Sequence, residues 1–326
     1  MFDQELSAIP FFLVVGRETA NRRAVDLALR SMVPGLTVET VAGNSAALEQ
    51  ALDTIIAQDE AEFIVVDMPA QADPGAFFDA VSPYVEDDVL TLTAMIAVVD
   101  ATRFWTEFRN GGPDVAQMLV GIVESASLVV LANTDADDAE SVEGFIRALN
   151  QLGTVFSLQR LQGMTLDALV ASMFHEAEDD ALEAAVPAAD ASMVLPASEK
   201  GGFTSFTWNT NARLDRDRFL ALFEEEWPES VLRVKGRVRL PDGVTASVSV
   251  IRNAVDLDEY TDEEAEMADA EMDEAMREAF EEEGLPWEDE EEALAMYEDG
   301  TLLVFVGRDM PLDDLSARLE ACKLPE

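Results

Sequence analysis

Cysteine and histidine each occur once in the 326 residues, as Cys322 and His175, and lysine occurs three times, at Lys200, Lys235 and Lys323. A single cysteine excludes an intrachain disulfide and any multi-thiolate metal cluster; Cys322 is expected to be a small core residue on the last helix. A single histidine, beside Glu176 and Glu178, makes no histidine-rich metal loop and reads as a surface residue. No run reaches the roughly 18 apolar residues that a membrane span needs. The amino terminus, MFDQELSAIP, has no positive segment ahead of an apolar one, so a cytoplasmic location is expected. Positive charge as a whole is scarce: 21 basic residues face 67 acidic ones, for a net charge of -46. That field repels phosphate backbones and anionic lipid, so neither nucleic acid nor a membrane is expected as a partner. The preference for arginine over lysine fits a GC-rich genome and salt adaptation equally well.

What the chain does have is enough apolar residue, 48%, to fill two ordinary cores. Its first half alternates short β-branched runs with helical patterns, the signature of crossover units and a mostly parallel sheet. Strands are expected at 11–15, 37–41, 63–67, 94–99, 128–131 and 154–158, and helices at 24–32, 46–57, 75–81, 115–125 and 139–149. In the first helix Ala24, Leu27 and Ala28 have the spacing of a core-facing stripe. Residues 177–200 are rich in Ala, Asp and Glu, with two prolines, and read as a helix fragment and linker between domains at 1–176 and 201–326. The second domain reads as a smaller α+β unit with an antiparallel sheet. It has a strand at 203–208, a helix at 215–226, and strands at 231–240 and 244–251 joined by Pro241-Asp242-Gly243, a hairpin signal. An acidic insertion at 256–300, with Met267, Met272, Met276 and Phe280 interspersed, reads as a solvated amphipathic helix whose apolar stripe touches the domain. Its carboxylates suit divalent cations in kind, but the EF-hand spacing is missing. A strand at 302–307 and a helix at 312–321 close the chain.

The stretch FFLVVGRETANRRAVDLAL, residues 11–29, has the layout of a phosphate-binding loop between a strand and a helix. Its residues depart from G-x-x-x-x-G-K-[ST], because Gly16 is followed by Asn21, Arg22 and Arg23 at the second glycine, lysine and hydroxyl positions. Asparagine tolerates the left-handed backbone better than most residues. Arginine keeps the charge of lysine but is broader and planar, and Arg23 supplies no hydroxyl for magnesium.

The segments LLVFVGRDMPLDDLSARLEACKL (302–324) and ESVLRVKGRVRL (229–240) resemble the two signatures of the CobW carboxy-terminal domain. Ala72-Asp73-Pro74 is similar to that family's E-x-S-G-L-A-D-P segment, and Val98-Val99-Asp100-Ala101 to its V-V-D-A strand end. The resemblance spans nearly the whole chain in order. It implies a P-loop NTPase-like, mostly parallel α/β sheet flanked by helices, of the SIMIBI-type GTPases that include CobW, HypB and UreG, followed by the smaller α+β domain. It also implies a GTP-dependent metal chaperone or insertase for zinc, cobalt or related ions, with GTP and magnesium as cofactors.

Carried over residue by residue, the nucleotide site would be Gly16, Asn21, Arg22, Arg23, Asp67, Asp100 and Asp135. Asp67 stands for the family's strand-end glutamate, with Ala70 in place of its switch glycine. Ala132-Asn133-Thr134-Asp135 stands for the base-reading N-K-x-D, so Asp135 keeps the guanine-edge carboxylate while the bracing asparagine and covering lysine are gone. The thiol metal motif C-x-C-C has no counterpart, and the segment 33–55 runs directly from strand to helix, which shortens the switch region. No catalytic residue and no metal ligand is assigned. These losses lead to the expectation of a CobW-like pseudo-GTPase, a binding or regulatory partner in metal homeostasis or metallocofactor assembly. Its partner is expected to be an active CobW-like relative or a target metalloprotein. Two other readings stay open: a working GTP-dependent chaperone in which Arg22 grips phosphate and Asp67 and Asp100 hold magnesium, and an acidic protein whose insertion occupies a basic surface on a partner.

Overall fold

A computed structural model describes residues 8–33, 38–42, 45–58, 60–69, 74–150, 153–173, 192–196, 201–224, 227–261 and 300–325. His175, Ala70, Ala72, Asp73 and residues 262–299 of the acidic insertion lie outside the described residues. The chain divides into two compact units, Met1–Glu176 and Ala177–Glu326.

In the first unit the run FFLVV becomes the centre of β1 (Ile9–Gly16), and its residues Phe11 to Val15 are at most 2% exposed. Such a run suits a strand covered on both faces. β1 lies between β3 (Phe63–Pro69) and β4 (Leu90–Asp100), parallel to both. β2 (Val38–Ala42), β5 (Leu128–Ala132) and β6 (Thr154–Ser157) complete a six-stranded parallel sheet in the order β2-β3-β1-β4-β5-β6. Parallel neighbours need crossovers, supplied by α1 (Thr19–Met32), α2 (Ser45–Gln58), α3 (Pro74–Glu86), α4 (Phe104–Asn110), α5 (Pro113–Glu124) and α6 (Ala139–Leu149). α7 (Leu158–Gln162) and α8 (Leu166–Met173) follow β6.

α1 corrects the sequence reading twice. It begins at Thr19, not Ala24, because Asn21 in place of a loop glycine continues the helix and the amides of Asn21 and Arg22 both donate to the Glu18 carbonyl at 3.1 Å. Its buried face is Arg22, Val25, Ala28 and Leu29, while Leu27 is 59% exposed. The earlier start places an arginine on the core-facing stripe. α4 was not expected as an element: Phe104, Trp105 and Phe108 from it pack on Phe145 of α6 with ring centres 5.3 to 5.9 Å apart.

The second unit is a six-stranded antiparallel sheet in the order β11-β10-β9-β12-β8-β7. Its strands are β7 (Ser192–Pro196), β8 (Thr204–Thr210), β9 (Val231–Arg239), β10 (Val244–Ile251), β11 (Ala254–Thr261) and β12 (Thr301–Gly307). β7 lies within the stretch read as a linker: its Met-Val-Leu core suits an edge strand, where the terminal Pro196 removes no central ladder bond. The first residues of the acidic insertion, Asp256 to Thr261, belong to edge strand β11. Pro241-Asp242-Gly243 joins β9 to β10 through a 3-10 turn with Gly243 at φ 72°.

Alternate strand residues Phe206, Trp208, Val234, Val238, Val248, Leu303 and Phe305 make one core with Phe219 and Phe223 of α9 (Arg216–Glu224) and Leu315 and Leu319 of α10 (Leu312–Ala321). Cys322 caps α10, buried in that core, with its thiol donating to the Arg318 carbonyl at 3.3 Å. Burial, then the Asp215 carboxylate, push that thiol up to about 11.

Candidate functional site

The ends of β1, β3, β4 and β5 deliver Gly16, Asp67, Asp100 and the Ala132-Asn133 turn to one edge of the parallel sheet, the crevice beyond the carboxyl ends of strands where α/β folds bind ligands. Gly16 has a packing reason there: an added Cβ would lie 2.6 Å from the Val98 carbonyl oxygen. Only Arg17 and Glu18 separate β1 from α1. A phosphate cradle of successive free amides needs a longer loop than that.

Arg22 is 5% exposed. Its Nε meets Asp67 Oδ1 and its Nη1 donates to the Gly16 carbonyl, so the guanidinium is turned inward across the ends of β1 and β3. Arg23, at the magnesium-hydroxyl position, is exposed. The cation facing the strand-end carboxylate is therefore Arg22, the residue at the lysine position of the loop pattern.

Asp100 is the centre of a second cluster. Its Oδ2 accepts from Asn21 Nδ2 and Asn133 Nδ2, each at 3.0 Å, and its Oδ1 accepts from the Thr102 hydroxyl at 2.6 Å and amide at 2.9 Å. Burial alone would push this carboxyl up. The bonds from Thr102, Asn133 and Asn21 outweigh burial and hold it below the usual Asp range. Asn133 takes φ 58°, a left-handed conformation that asparagine tolerates. Asp135, in the turn after β5, is exposed and outside this network.

At the mouth, Glu18 is the N-cap residue of α1 and pairs with Arg103. Arg103 also reaches Glu107 at 2.9 Å, and Arg17 lies 3.6 Å from Glu107. The cleft between Glu18, Asp100, Glu107 and Phe104 holds a cavity of about 20 Å³. That is room for about one water, against the roughly 300 Å³ or more of a small-molecule site. Among the described residues no group of three His, Cys, Asp or Glu side chains is placed to hold a metal ion, and no helix is long and apolar enough to cross a membrane.

Five of the seven sequence-assigned residues, Gly16, Asn21, Arg22, Asp67 and Asp100, are thus brought together, while Arg23 and Asp135 face outward. Thr102, Arg103, Glu18 and Asn133 were missed as members. The V-V-D-A-T spacing, which lets an aspartate accept from the hydroxyl and amide two residues on, was the signal available for Thr102.

A parallel sheet of this order followed by an antiparallel six-stranded unit defines a P-loop NTPase-like protein with a second α+β domain. Residues 203–323 match the family described as the cobalamin synthesis protein cobW C-terminal domain. The match lies within the second unit and does not extend to the parallel-sheet unit. Among solved structures, the chain is similar to the Zn(II)-bound YjiA GTPase from E. coli, at 16% identity over 97% of this chain and 99% of that one, with a TM-score of 0.39. A Zn(II)-bound triple mutant of YjiA gives the same identity and coverage with a TM-score of 0.42. The signal recognition particle receptor FtsY from Elizabethkingia anophelis is 16% identical over 52% of this chain and 66% of that one, with a TM-score of 0.33. No curated protein matches the chain in sequence.

Proposed function

We propose that the first unit is a pseudo-GTPase, and that the chain serves as a non-hydrolysing binding or regulatory partner in metal homeostasis or metallocofactor assembly. The observation that carries this reading is the Arg22–Asp67 pair, which sets a buried guanidinium against the carboxylate that would hold magnesium's water. GTP with magnesium does not fit this arrangement. The amides of Asn21 and Arg22 are committed to the Glu18 carbonyl, and Asp100 is saturated by Asn21, Asn133 and Thr102. The Glu18 carboxylate stands at the positive end of α1, where a phosphate would dock. Four of the side chains carried over from the family's nucleotide site are turned here toward one another, Arg22 toward Asp67 and Asn21 toward Asp100.

The binding role then falls to the carboxy-terminal domain, where the family match lies, with an active relative or a target metalloprotein as partner. GTP turnover by purified protein, compared with an Arg22→Ala/Asp67→Ala double variant, tests the first half. The two rates are expected to be equal and at background. Turnover above that of the double variant removes the reading.

A further inference from the structure

The second unit gathers positive charge on one face of one strand. β9 reads V-L-R-V-K-G-R-V-R. Its Val234 and Val238 point into the core beneath the helices, so Arg233, Lys235, Arg237 and Arg239 alternate onto the opposite face. Four of the chain's 21 basic residues thus stand in nine positions of a molecule with net charge -46. Arg233 lies along the sheet, its Nη1 donating to Ser249 Oγ at 2.7 Å; Lys235 is exposed and Arg237 and Arg239 are half-buried. In register beside the stripe are Leu302 and Val304 of β12, half-buried and apolar. On the other side the hydroxyls of Ser247 and Ser249 on β10 separate it from Asp258 and Asp256 on edge strand β11. Those two carboxylates are two strand spacings away, about 10 Å, which is about one Debye length at physiological salt.

The occupant that fits this face is already covalently attached. Residues 262–299 connect β11 to β12, so both of their ends are fixed to the strands that flank β10 and β9. Nineteen of these 38 residues are Asp or Glu and one, Arg277, is basic; Met and Phe side chains are interspersed. A tether of this length holds carboxylates near the stripe at an effective concentration on the order of millimolar, and Leu302 and Val304 offer apolar contact to the Met and Phe positions. We propose that the β9 face is the docking site of the chain's own acidic tract, residues 262–299, with tract carboxylates set against Lys235, Arg237 and Arg239.

Zero-length carbodiimide coupling of the full chain, read by mass spectrometry, tests this, because an amine must carry each link and only three lysines stand beside the terminal amine. Lys323 and Glu320, 2.9 Å apart, are the internal positive control for folding and coupling. The expected product is a single-chain link from Lys235 to a carboxylate within 262–299. It should fall at least about fivefold in 1 M NaCl, where the Debye length is about 3 Å. A similar fall is expected in an Arg237→Glu/Arg239→Glu variant that keeps the tether and the Lys323–Glu320 link. Three results would overturn the proposal: Lys235 linked only to a second copy, Lys235 linked only to a co-purifying acidic protein, or a tract link of undiminished yield in the charge-reversed variant. Absence of any tract link while the control couples would overturn it as well.

Discussion

At the scale of single residues, the guanidinium of Arg22 satisfies Asp67 and the Gly16 carbonyl at once. Removing it leaves a carboxylate, 19% exposed, without its cation. Arg22→Ala is therefore expected to cost about 3 kcal/mol in urea denaturation, and Arg22→Lys to recover little, since an ammonium does not reproduce the planar fork. Asp100 carries a pH signature. Its folded carboxyl titrates below the usual Asp value of about 3.9, so its contribution to stability is complete above that value and is lost as pH falls through the folded one. Asp100→Asn is expected to cost about 1 kcal/mol at pH 7, with the difference from the parent chain shrinking as denaturation is repeated below the usual Asp range. Cys322 acts at the other end of the scale. Its thiol, pushed up to about 11, stays protonated in the fold after the unfolded thiol has ionised near about 8.5, so its contribution is intact below that pH and declines between there and 11. The parent chain should lose more melting temperature over that interval than Cys322→Ala does.

At the scale of elements, Gly236 sits at φ 150° in the middle of β9, where an added Cβ would lie 2.0 Å from the Leu302 carbonyl oxygen of β12. That contact is backbone and has nowhere to move, so Gly236→Ala is expected to destabilise the second unit by about 3 kcal/mol in chemical denaturation. The strands of the parallel sheet were legible because continuous apolar runs such as Leu128–Ala132 can only be covered on both faces. α1 was legible in kind and not in phase: Leu27 has the better apolar side chain, yet Arg22 takes the buried side because Asp67 and a strand-end carbonyl compensate its charge. That compensation involves a residue 45 positions away, so no local periodicity carries it. α4 escaped for a related reason: its Phe104, Trp105 and Phe108 are three aromatics in five positions, and what orders them is Phe145 on a distant helix. Of the site, Gly16 was readable from the strand-loop-helix layout and Asp100 from the likeness of V-V-D-A to the family's strand end, whereas which arginine turns inward was decided by where α1 begins.

At the scale of the whole molecule, the chain divides into two compact units. The first retains the frame of a P-loop sheet and fills its ligand edge with its own side chains: Arg22 against Asp67, and Asn21, Asn133 and Thr102 against Asp100. The second, which matches the cobW C-terminal domain model over residues 203–323, carries on β9 a positive stripe within a molecule of net charge -46. On the proposed reading, these internal contacts take the place of a nucleotide's, and no nucleotide cycle follows. Isothermal titration calorimetry of GTP, GDP and ATP into the intact chain, with and without magnesium, tests that claim most directly. The account predicts no saturable heat for any of the three, with dissociation constants weaker than about 1 mM in both conditions. Micromolar, magnesium-dependent binding of GTP would contradict it.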